Sequence, residues 1–121
     1  MKFFLLVGLG GCIGSILRAG VGQLLIGFGY TTILVNLLGA FMIGFLAKYA
    51  EGFSQPDLFK AFWMIGICGG FTTFSAFGIE LFDCLENGRW RTGILYAGAN
   101  VLGTLFFIFL GFRLGTWLNS G

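Results

Sequence analysis

Four long apolar stretches alternate with short polar connections along this chain, roughly over residues 3–22, 30–49, 58–82 and 92–117. Each approaches or exceeds the roughly 20 residues that an α-helix needs to cross a hydrocarbon core about 30 Å thick. The pattern predicts an all-α membrane protein, a single four-helix transmembrane domain over residues 1–121, multi-pass in the inner or plasma membrane of a cell. The connection 51–57 carries the only proline, Pro56, and Glu86-Asn87-Gly88 reads as a turn ahead of Arg89 and Arg91. The third stretch is interrupted. Between Lys60 and Glu80 lie 19 uncharged residues, and near their midpoint Gly69-Gly70-Phe71-Thr72-Thr73-Phe74-Ser75-Ala76-Phe77 puts poor helix formers where hydrocarbon is deepest. Lipid supplies no water to satisfy a freed carbonyl, so the break must face protein, an ion or a water-filled path.

Composition agrees with immersion in lipid: 57% of residues are hydrophobic and 10% charged, with 22 glycines and 16 phenylalanines. Residues 3–17 could open a secretory signal, but Arg18 and glycine-rich sequence follow where a polar cleavage region would stand, so the segment reads as a retained span. The three cysteines, Cys12, Cys68 and Cys84, lack metal-ligand spacing and read as small apolar fillers. Histidine is absent and no carboxylate stands at mid-membrane to relay protons, which argues against an enzyme. No nucleic-acid partner is expected.

Charge placement bears on orientation. One side of the membrane collects Lys2, Lys48, Lys60 and Arg113, the other Arg18, Arg89 and Arg91. So even a division of positive charge gives little reason to prefer one orientation, and it points to dual insertion, with a single topology set by one decisive loop as the alternative. Four spans are few for enclosing a path, and two inverted copies would supply the second half of a midplane site as an antiparallel homodimer. Gly10-Gly11 with Gly14, and Gly39 with Gly44, offer small-residue surfaces for close helix approach.

The polar residues inside the spans are the candidates for function. Arg18 lies about 22 Å along the first span, near its far interface; it either snorkels to head groups or makes an electropositive vestibule. Asn36 interrupts an aliphatic run and either bonds a neighbouring helix or offers its amide hydrogens to an anion. Tyr96, Asn100 and Thr104 repeat at i, i+4 and i+8, a polar stripe on one helix face that reads as the wall of a hydrated track or as interhelical bonding. Phe74 and Phe77 would share a face beyond the break, where the positive edges of their rings can meet an anion. Thr73 and Ser75 add hydroxyl donors. The set is rich in donors and poor in carboxylates, which favours an anion in the path. Freed carbonyls favour a hard cation such as sodium, and paired carbonyls from two antiparallel subunits could hold one such ion. Glu80 stands either as an interfacial helix-end charge or at a pore mouth.

These residues resemble the fluoride channels of the Fluc family, also called CrcB proteins, over almost the whole chain. The resemblance is carried by Gly10-Gly11-Cys12-Ile13-Gly14-Ser15-Ile16-Leu17-Arg18, by Leu34-Val35-Asn36-Leu37-Leu38-Gly39-Ala40-Phe41 with Gly44, and above all by Gly66-Ile67-Cys68-Gly69-Gly70-Phe71-Thr72-Thr73-Phe74-Ser75-Ala76-Phe77 with Glu80. It implies a dual-topology homodimer with two antiparallel pores, passing fluoride passively out of the cytoplasm in preference to chloride, and a structural sodium ion that is not transported. It also implies backbone carbonyls of Gly69 and Thr72 on sodium, Phe74 and Phe77 as the pore phenylalanines, Asn36 as the pore asparagine, and Tyr96, Asn100 and Thr104 as a polar track. Asn100 departs from the pattern, since a small hydroxyl residue is expected there. Two rivals remain: a small dual-topology multidrug exporter, whose first helix should carry a glutamate that is absent here, and a non-conducting membrane scaffold.

Overall fold

The computed structural model describes residues 1–120, and all of its regular structure is helical. α1 (Lys2–Leu24) is followed by α2 (Thr31–Tyr49), one 3₁₀ turn (Ala50–Gly52) and α3 (Pro56–Lys60). A wide-wound stretch then runs over Ala61–Cys68, where N–H groups bond five residues back instead of four. α4 (Gly69–Phe71), α5 (Phe74–Glu86) and α6 (Trp90–Ser120) complete the chain. Together they make four runs long and apolar enough to cross a membrane: Lys2–Leu24, Thr31–Gly52, Pro56–Glu86 and Trp90–Ser120. The chain is thus a multi-pass protein of the cell membrane. The third and fourth runs outlast the apolar stretches that announced them, because hydropathy marks the lipid crossing while backbone hydrogen bonding carries a helix on into the polar layer. On α6, Trp90 and Trp117 are both exposed. They lie about 40 Å apart along the axis, a spacing that matches the two interfaces of a bilayer, where indoles are favoured.

The expected interruption spans residues 69–77, but the observed break is narrower. Only Thr72 and Thr73 are extended, at φ/ψ of −87°/158° and −149°/120°. Gly69 and Gly70 stay helical, and α5 restarts at Phe74 because the Thr73 hydroxyl accepts from the Ala76 N–H at 3.1 Å, an N-cap that satisfies one orphan donor. The wide winding ahead of the break was not anticipated.

Pro56 sits in the first turn of α3, where its missing N–H costs nothing. At the other end of this span Gly88, at φ +73°, turns the chain so that the Arg89 N–H reaches the Cys84 carbonyl at 2.8 Å. Asn87 and Arg89 both bond Asp83 across this turn. The Arg89–Asp83 pair is solvent-exposed and contributes at most about 1 kcal/mol.

Two helix pairs form the body. α1 packs along the wide-wound stretch and α4, while α2 packs along α6 with α5 laid against the start of α6. Glycine makes both seams possible. A Cβ at Gly10 would strike the Phe62 carbonyl and one at Gly14 the Ile67 carbonyl; Gly44 and Gly111 abut the Ile108 and Phe41 carbonyls in the same way. Between apolar helices in lipid no hydrophobic force drives association, so the dispersion gained by this backbone-to-backbone approach carries the packing. Val35, Ala40, Ile67, Cys68 and Phe71 are among the buried apolar residues of these helices. All three cysteines are free, with Cys68 and Cys84 buried and Cys12 exposed. A second tie joins the ends of α2 and α6, where Asn119 Nδ2 donates to the Lys48 carbonyl at 2.8 Å.

Gly14→Val should force α1 off the third span and cost about 2 kcal/mol or more. Gly20→Val, at a position with open space around it, should be close to neutral. Thermal aggregation in detergent, read by size-exclusion chromatography, separates the two.

Candidate functional site

The break leaves peptide groups without helical partners, and side chains from α1 and α2 attend to them. Asn36, projecting from α2, grips the Thr73 peptide from both sides: its Oδ1 accepts from the Thr73 N–H at 2.8 Å and its Nδ2 donates to the Thr73 carbonyl at 3.0 Å. Arg18, projecting from α1, donates through Nε to the Gly70 carbonyl at 3.1 Å. Thr72 turns its hydroxyl back on the Cys68 carbonyl, 2.9 Å away, which also takes the Thr72 N–H. Arg18 thus reaches into the protein and braces the break, a role outside the snorkelling and vestibule readings of the sequence.

The same bonds strip two carbonyls of donors. In a continuous helix the Gly69 carbonyl would accept from the Thr73 N–H, which here goes to Asn36. The Thr72 carbonyl would accept from the Ala76 N–H, which here goes to the Thr73 hydroxyl. Both residues border an open groove of about 310 Å³ lined also by Asn36, Cys68, Phe74 and Thr104. Among the described residues no cluster of three His, Cys, Asp or Glu side chains could hold a metal.

The polar stripe of α6 faces this region. Asn100 is only 4% exposed; its Nδ2 donates to the Tyr96 carbonyl at 3.0 Å and its Oδ1 lies 3.4 Å from Asn36 Nδ2. Thr104 lines the groove one turn along. Tyr96 lies one turn the other way, and its hydroxyl donates to Glu80 Oε2 while Thr32 donates to Oε1 of the same carboxylate. Glu80 therefore stands within α5 and lines a wider cavity of about 1070 Å³ with Tyr96, Asp83 and Arg89. Thr32 was not singled out from sequence, because a threonine in the first turn of a helix carries no distinguishing signal there.

The two phenylalanines divide. Phe77 is 6% exposed and packs toward Tyr96, with ring centroids 5.5 Å apart, whereas Phe74 is 82% exposed on the outer face. Their own centroids are 5.7 Å apart at 54°, so the rings adjoin although one points inward and the other outward. Ser75 is exposed beside them, its hydroxyl 3.4 Å from that of Thr73. The structure thus gathers Asn36, Thr72, Thr73, Phe74, Phe77, Asn100 and Thr104 around the break and sets Tyr96 with Glu80 on a second, separately lined cavity.

An all-helical membrane protein whose third span opens at mid-depth, with the exposed peptide held by an asparagine from the second span, is a distinctive class. The family described as CrcB-like protein, Camphor Resistance (CrcB), matches residues 5–112, and this chain belongs to it. Similar proteins include one from Thermus thermophilus, 39% identical over 95% of this chain and 96% of its own length. One from Rhizobium meliloti is 37% identical over 94% and 96%, and one from Elusimicrobium minutum 41% identical over 93% of each. All three are called fluoride-specific ion channel FluC. The family is one of ion channels rather than enzymes.

Asn36→Leu should leave the Thr73 N–H and carbonyl without side-chain partners and lower stability by about 2 to 5 kcal/mol. Thr73→Ala should cost about 1 kcal/mol through the lost cap, and Thr73→Ser much less. Melting temperatures in detergent test the ranking, which fails if Asn36→Leu melts with wild type.

Proposed function

We propose that this protein is a fluoride-selective channel that lets cytoplasmic fluoride leave passively down its electrochemical gradient. The observation that carries the reading is the donor-lined break in the third span, in a chain that matches fluoride-specific channels over nearly their full length. Fluoride is small and strongly hydrated, so a path for it must replace water with many donors in a passage too narrow for larger halides. The hydroxyls of Thr73, Ser75 and Thr104 offer donors for that replacement, the Asn36 amide can join them by giving up its long 3.4 Å bond to Asn100, and the ring edges of Phe74 and Phe77 add positive surface without any acceptor. Tyr96, one helical turn from Asn100, and Glu80 line the larger of the two cavities. No phosphate-binding loop is present to couple the passage to a nucleotide.

The working unit we infer is an antiparallel homodimer with two pores. Two observations support it. The basic residues divide four to three between the two sides when Arg18, drawn inward to Gly70, is counted, and such a weak bias suits insertion both ways. Gly69, Phe74 and Ser75 are exposed on the single chain at the depth where lipid cannot serve a broken backbone. A partner lying over them would exclude lipid. Its own Gly69 and Thr72 carbonyls would then join those of this chain, and four such oxygens suit a hard monovalent cation such as sodium, held as a structural ion. When bound, the ion would supply positive charge at the dimer centre. The chain's own part is to aim two carbonyls that its side chains have freed.

Proteoliposomes loaded with fluoride should release it when the potential is collapsed by an ionophore, with little release of chloride and no need for a proton gradient. An electrode trace without fluoride release removes the proposal. Phe74→Ile and Phe77→Ile should each cut the rate at least about tenfold without changing the oligomer, and undiminished flux in both would refute their place in the path. Cysteine labels at the N-terminus should react from both membrane faces. Labelling from one face alone would reject dual insertion.

A further inference from the structure

Asn36 and Asn100 face each other beside the break, each amide already engaged with backbone. A side-chain amide has one acceptor oxygen and two N–H donors. On Asn36 the oxygen takes the Thr73 N–H, one N–H goes to the Thr73 carbonyl, and Asn100 Oδ1, 3.4 Å from the same nitrogen, is the acceptor within reach of the other. Neither amide can turn over. Rotating Asn36 would set N–H against N–H and oxygen against oxygen at Thr73, and rotating Asn100 would set its oxygen against the Tyr96 carbonyl that its Nδ2 now serves. Asn36 therefore has no free donor. Of its three bonds, the one to Asn100, at 3.4 Å, is the longest and weakest.

We infer that the Asn100 carbonyl oxygen is a built-in competitor for fluoride: it occupies the one Asn36 N–H that can be given up, and so sets how tightly the path binds the anion. This rests on the fluoride-channel reading. A fluoride ion can only accept, so it must take the N–H that Asn100 holds, and the Asn100 oxygen, nearly fully buried, then stands unpaired beside an anion. Water could bridge the two amides, since it accepts from one and donates to the other. The exchange thus weakens fluoride relative to water at this point, which hastens its release to the next donor. Asn100 on this view is a positioning and affinity-setting residue.

N100S is the informative variant. A serine hydroxyl in a helix bonds the carbonyl four residues back, so it still serves Tyr96 while withdrawing the acceptor from Asn36. Fluoride efflux is measured against internal fluoride concentration for wild type, N100S and N100A in liposomes, with melting temperature recorded for each. The expected result is a half-saturating fluoride concentration roughly fivefold lower in N100S and N100A, with N100S melting close to wild type. If Asn100 only braced the helices, both variants would show reduced maximal flux, a lower melting temperature and an unmoved half-saturation point, and the inference would be overturned. In wild type, fluoride should also shift the side-chain amide resonance of Asn36 in an NMR titration, and a resonance that stays still would overturn it too. Absence of fluoride release from wild type itself sinks the channel reading instead, so the two failures are distinct.

Discussion

A peptide bond in hydrocarbon has to find its hydrogen-bond partner inside the protein, and the architecture around the third span follows from that demand. Breaking the helix at Thr72 and Thr73 releases donors and acceptors at mid-depth. The Asn36 amide answers by taking the Thr73 N–H that lost its helical acceptor, and it adds a second bond by donating to the Thr73 carbonyl. Without such a reply the break would anneal into helix or collapse onto neighbouring chains. With it, the extended pair is a fixed element, and the groove beside it has a defined wall.

The helix pairs divide the work. α1 and the first part of the third span meet through glycines, so backbone lies on backbone and Arg18 comes within reach of Gly70. That pair is a brace. α2 and α6 meet through glycines as well, but they carry the amides and hydroxyls that face the break from the other side. The interruption is therefore held between an apolar, closely packed half and a polar one. Such an arrangement keeps the freed Gly69 and Thr72 carbonyls from being quenched, because the nearest donors are already committed elsewhere.

Much of this was legible in the sequence, for identifiable reasons. Lipid imposes a length and a hydropathy on each span, so the four crossings stand out, and the i, i+4, i+8 spacing of Tyr96, Asn100 and Thr104 guarantees a shared face whatever it packs against. Glycines with threonines in an uncharged run betray a break because lipid penalises it so heavily. The extent of that break was overestimated, since glycine only permits departure from a helix while the Thr73 cap enforces its restart. Contacts between distant positions were out of reach. Nothing local says that Arg18 meets Gly70, 52 residues away, or that Glu80 gathers Thr32 and Tyr96. The parting of Phe74 from Phe77 likewise depends on where α6 lies, since both rings project from adjacent turns of one helix.

The wide winding of Ala61–Cys68 has a consequence for what this segment can tolerate. A stretch bonded five residues back holds more chain per unit of rise than an α-helix. It acts as a phase adjuster between the membrane surface and the break. Were it to rewind tightly, everything beyond it would rotate about the axis, carrying the Gly70 carbonyl away from Arg18 and Thr73 away from Asn36. Spacing is the fixed quantity there: positions exposed on the single chain, such as Trp63 and Ile65, can exchange one apolar side chain for another without disturbing the winding, whereas the tally of residues between Lys60 and Gly69 is not free to change by one.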